Sequence, residues 1–96
     1  MYFITAIAGN DNSRPGFRRP KRTFGYASEL SIAQYYVNEN VGSMHECLYD
    51  YIVIENIGPG IHPESKQEWW YEWNGGRWMT CEKPDWSLGR VNWALG

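Results

Sequence analysis

Residues Glu68 to Trp78 read EWWYEWNGGRW and constrain the fold more than any other part of the chain. Trp69, Tyr71 and Trp73 alternate with Glu68, Trp70 and Glu72, a period of two that defines a β-strand with unlike faces. Asn74-Gly75-Gly76 follows, and a tight hairpin turn requires positive φ at both central residues, which Asn and Gly supply. Two registers are available. An Asn74-Gly75 loop sets Glu72 opposite Arg77 and Tyr71 opposite Trp78, both favourable cross-strand pairs. A Gly75-Gly76 loop sets Trp73 opposite Trp78. The charge and aromatic pairing of the first makes it the expected one.

Such a hairpin needs a sheet to join. Tyr2 to Ala8 is rich in β-branched and aromatic residues and reads as a first strand. Gly9 to Lys21, GNDNSRPGFRRPK, is a loop by its glycines, prolines and turn formers. Arg22 to Tyr26 reads as the returning strand. Ser28 is the expected N-cap of a helix running to about Asn40, with Leu30, Ala33 and Val37 as its apolar stripe, joined by Ile32 and Tyr36. Asn40 or Gly42 can end it in the left-handed conformation. Ser43-Met44-His45-Glu46 fits a capping box and predicts a short second helix with Met44, Cys47 and Leu48 inward. Tyr51 to Ile54, bounded by Asp50 and Glu55, is the expected central and most buried strand. The segment from Cys81 to Gly96 lacks a period and is expected to pack irregularly over the sheet, pinned by Trp86 and Trp93. The predicted fold is α+β: one antiparallel sheet of about five strands with a main helix and a short second helix on one face, in a single domain spanning residues 1–96.

Six Trp, seven Tyr and three Phe among 96 residues suit a small core, and they are also the residues of stacking sites and interface cores. The net charge of −2 argues against general nucleic-acid or membrane-surface binding. Charge is unevenly spread, however: Arg14, Arg18, Arg19, Lys21 and Arg22 are five of the nine basic residues. No run of apolar residues is long enough to span a membrane, and the N-terminus does not read as a signal peptide, so a cytoplasmic location is expected. Cys47 and Cys81 lack metal spacing and are expected to be reduced thiols.

No phosphate-loop, paired-histidine or nucleophile-elbow motif occurs. His45 lies in the capping box and His62 precedes a proline, and a solvated or structurally bonded histidine is the default for each. Glu68 and Glu72 share a strand face, with Glu55 as a possible neighbour. A solvated face explains them better than acid–base chemistry. Neither a catalytic residue, a metal site nor a cofactor is expected, and an enzyme ranks last. Two features outlast the structural explanations. The arginines can engage phosphate or carboxylate bidentately. Trp70 points away from the Trp69, Tyr71 and Trp73 face, so it must meet the C-terminal tail, another subunit or a ligand.

The segments MYFIT, RTFGYASELSIAQYYVNEN, ECLYDYIVIENIGPGIHP, WYEWNGG and EKPDW resemble a family of short, largely uncharacterised proteins of phages and prophages of gut Firmicutes. Members have a briefer link between the first two strands, so the extended arginine loop is a departure, and no catalytic residues come with the family. The resemblance implies a small non-enzymatic protein that blocks host defence in the bacterial cytoplasm. With the surviving residues it leads to an expected function: sequestering a phosphorylated nucleotide signal, of cyclic nucleotide or ADP-ribose type, through Arg14, Arg18, Arg19, Arg22, Trp70, Trp73 and Arg77. A chain of this size has little depth for a pocket, so a homo-oligomer is expected. The alternative is a protein–protein inhibitor of a defence effector acting through the aromatic and acidic surface.

Overall fold

The computed structural model describes residues 1–8, 21–41, 49–59, 65–87 and 92–95. Five strands form one antiparallel sheet: β1 Tyr2–Ile7, β2 Lys21–Ala27, β3 Tyr51–Ile57, β4 Ser65–Asn74 and β5 Arg77–Cys81. Their spatial order is β2-β1-β3-β4-β5, so β3 is the middle strand. Ile52, Val53 and Ile54 are each fully buried there. A continuous apolar run is what a strand covered on both faces requires, and both faces are indeed covered.

One face lies under helix α1, Leu30–Asn38. Ile4, Ala6, Ile52, Ile54, Tyr71 and Trp78 pack there against Ala33 and Val37. The helix begins one residue later than its expected Ser28 cap: Glu29 occupies the N-cap position without a side-chain bond to the exposed amides. Seating Ala33 and Val37 at zero exposure outweighs a cap worth about 1 kcal/mol. Ile32 departs from the expected stripe and is 37% exposed, because it sits about 100° around the helix from Ala33. Asn40 does leave the helix with φ of 48°, and its Oδ1 accepts the Trp78 indole N–H at 3.1 Å. The second helix expected over Ser43–Leu48 lies outside the described residues. Besides α1, the described residues contain a 3-10 turn at Asp85–Ser87.

The hairpin register corrects the sequence expectation. Trp73 pairs with Trp78 and Asn74 with Arg77, leaving Gly75-Gly76 as the loop. Gly75 and Gly76 have φ of 63° and 85°, values a glycine adopts without the clash that an L side chain meets. The shift sacrifices the Glu72–Arg77 pair and exchanges a Tyr71–Trp78 pairing for a Trp73–Trp78 one. It gains an edge-to-face contact of the Trp73 and Trp78 rings at 5.2 Å, worth about 0.5–1.5 kcal/mol beyond burial, against less than about 1 kcal/mol for an exposed ion pair.

Candidate functional site

The strand registers assign each candidate side chain to a face. Arg22 is in register with Ala6, and the strand pairings carry that row on through Ile52 and Tyr71, the face under α1. Trp73 belongs to the same face, half-buried against its core. Trp70 lies opposite Val53 on the other face, where Arg77, paired with Asn74, also belongs. Arg14, Arg18 and Arg19 lie outside the described residues.

Arg22, Trp73 and Arg77 nevertheless share one end of the sheet. There β1 ends at Ile7 and β2 begins at Lys21, so both ends of the basic stretch meet the sheet at this point. Three strand spacings separate β2 from β4, about 14 Å. Arg22 is exposed, and its guanidinium carbon sits 5.0 Å from the centroid of the Phe24 ring. Phe24 is the residue passed over where the β1–β2 register shifts; such a bulge re-aims a side chain. Its ring meets Tyr49 edge-on at 5.9 Å. The outcome is an exposed arginine whose guanidinium sits over an aromatic ring, with half-buried Phe24, Tyr49 and Trp73 along the same end.

Trp70 has another fate. It is 4% exposed and forms edge-to-face contacts with Trp86 at 5.8 Å and Trp93 at 6.1 Å. Trp86 and Trp93 in turn meet at 5.6 Å. Of the three alternatives for this indole, the C-terminal tail is the one that covers it. Among the described residues of that tail, Trp86 and Trp93 pack on Trp70 as expected, and residues 88–91 and 96 lie outside the described residues.

The carboxylates on this face also depart from expectation. Glu55 continues β3 instead of bounding it, and it is fully buried rather than solvated. It pairs directly with Glu68 across β4. Both of its oxygens accept the Trp93 amide at 2.9 Å, and one accepts the Ala94 amide at 3.0 Å. Burial pushes the Glu55 acid above the ordinary carboxylate range, and Glu68 adds to the rise while the amide bonds oppose it. Glu68 is itself held by Lys83 at 3.1 Å, by the Trp70 indole at 3.1 Å and by Ser65 at 3.2 Å. A carboxylate immediately after an apolar run gives no sign in sequence that a segment nearly forty residues later will seal it.

Among the described residues no cluster of three potential metal ligands occurs, and no helix is long and apolar enough to cross a membrane. Comparison with known proteins finds no matching family model, curated protein or solved structure.

Proposed function

We propose that this protein is a non-enzymatic binder of a phosphorylated nucleotide, of the cyclic nucleotide or ADP-ribose class, and that it acts by sequestering that signal. One observation carries the reading: the exposed Arg22 guanidinium stacked over Phe24, at the sheet end from which the basic stretch departs. A guanidinium held flat on a ring loses little rotamer freedom when its fork takes a phosphate. Aromatic planes beside it accept a base by stacking, typically worth about 1–3 kcal/mol. Trp73 and Tyr49 are the aromatic partners on the same face, and Arg14, Arg18 and Arg19 belong to the adjoining basic stretch. Trp70, enclosed by the tail, serves the fold instead of the ligand. The resemblance to small phage proteins supports a defence-blocking role, and the small size of a 96-residue chain supports completion of the site by a second copy.

Titration of the intact protein with cyclic dinucleotides and ADP-ribose, followed by tryptophan fluorescence and calorimetry, tests this reading. Quenching with measurable heat is expected, and Arg22→Ala should remove both while changing stability by less than about 0.5 kcal/mol. Absence of heat with every nucleotide, together with a monomer by light scattering, refutes it. A second reading, an inhibitor that docks on a defence protein, is favoured by Tyr26, 65% exposed on edge strand β2 and in ring contact with Phe3 at 5.9 Å. In that case nucleotides leave the fluorescence unchanged.

A further inference from the structure

The tail that covers Trp70 is attached in an unusual way. Lys21 Nζ donates to the Trp93 carbonyl at 2.6 Å, and Thr23 Oγ1 donates to the Ala94 carbonyl at 3.1 Å. Glu55 accepts the amides of the same two residues. Side chains of the sheet therefore grip the main chain of this segment from both its donor and its acceptor sides, and Trp93 supplies the apolar anchor.

The Glu55 carboxylate is the strained member of this grip. Phe3, its register neighbour on β1, brings no charge. Glu68, its neighbour on β4, brings a like charge, and directly opposed like charges are unfavourable. Two cations are engaged elsewhere, Lys83 on Glu68 and Lys21 on the Trp93 carbonyl, and the exposed Lys66 side chain lies beside Gly58. Docking the tail thus strips water from a carboxylate and offers it two amides, beside the Ser65 hydroxyl, but no cation among the described residues. Desolvation of an ion in this way is costly. A proton relieves it, because Oε1 receives both the Trp93 and Ala94 amides, so a proton on Oε2 leaves both of those bonds in place.

We propose that Asn92–Leu95 is a pH-gated strap, which closes over Trp70 and Glu55 when the Glu55 carboxyl is protonated and loosens when it ionises, baring the indole-lined face beneath. The direction agrees with the upward displacement of the Glu55 acid. A carboxyl whose closed-state pKa is raised contributes its full stabilisation below its ordinary pKa and loses it as pH climbs through the raised value. This inference is independent of the nucleotide reading, since it involves the opposite face of the sheet.

Amide hydrogen exchange of the intact protein, followed residue by residue by NMR and corrected for intrinsic rates, tests it. Protection of the Trp93 and Ala94 amides should fall as pH rises from about 4, just below the ordinary carboxylate range, to about 8, while β3 amides such as Val53 keep theirs. Glu55→Gln, permanently neutral, should abolish the trend. Wild-type protection that does not change with pH, or the same trend in Glu55→Gln, overturns the proposal. Should the Gln variant not fold, acrylamide quenching of wild-type tryptophan fluorescence supplies the reading: quenching should strengthen over the same rise in pH as the strap bares Trp70, and quenching that does not change overturns the strap.

Discussion

Replacing Trp70 by alanine separates a structural indole from a ligand-facing one. The side chain is 4% exposed, so truncation removes nearly all of an apolar contact area that for tryptophan is about 150–250 Å². It also deprives Trp86 and Trp93 of an edge-to-face partner. The indole N–H bond to Glu68 is lost as well, but Glu68 keeps Lys83 and Ser65, so no carboxylate is stranded. Core substitutions of this kind destabilise by about 3–5 kcal/mol, a large share of the roughly 5–14 kcal/mol expected for 96 residues. With a urea m-value of about 1.5 kcal/mol/M, the unfolding midpoint should fall by about 2–3 M. Far-ultraviolet circular dichroism across a urea series measures it. Combining Trp70→Ala with Trp93→Ala should reveal a coupling of about 0.5–1.5 kcal/mol, since each ring is a partner of the other. A loss below about 1 kcal/mol, with no coupling, would refute the tail's closure over Trp70.

Two further outcomes are expected. Gly76→Ala should lower stability by about 1–2 kcal/mol through backbone strain alone, because φ is +85° and an added Cβ meets nothing within 4 Å; calorimetry should show the melting temperature down by roughly 4–16 °C. Cys81, its thiol pushed up to about 11 by burial and then by Glu72, should react with a disulfide reagent at about pH 8 roughly one order of magnitude more slowly than an ordinary thiol, the smaller thiolate fraction being partly offset by greater nucleophilicity, read in a Cys47→Ser background; a rate matching free cysteine would contradict the burial.

The candidate site was legible in part. Arg22, Trp73 and Arg77 are recognisable from residue type and from their closeness to the hairpin and the basic stretch. That they gather at one sheet end follows from the register, which places the β1–β2 and β4–β5 reversals at the same end and the β3–β4 reversal at the other. Their division between two faces does not follow from residue type. Trp73 and Arg77 part by alternation across the hairpin, whereas Arg22 joins the Trp73 face through the bulge at Phe24, which changes the alternation within β2. Glu55 was hidden for a different reason: nothing within reach along the chain distinguishes a carboxylate that water will solvate from one that later amides will enclose.

Local pattern alone decided the strand at Trp69–Trp73, the helix seated on Ala33 and Val37, and the central position of Ile52–Ile54, because periodicity and apolar runs are properties of neighbouring residues. Tertiary structure decided the hairpin register, and the reason is geometric. The two candidate registers differ by two residues, and such a slip keeps every side chain on its own face, so alternation cannot choose between them; contact of Trp73 with Trp78 can. It also decided the closure of the second face, where Trp93 and Ala94 meet a carboxylate on β3 through main-chain amides. Main-chain amides are common to every residue except proline, so only their arrival at Glu55 in three dimensions gives them this role.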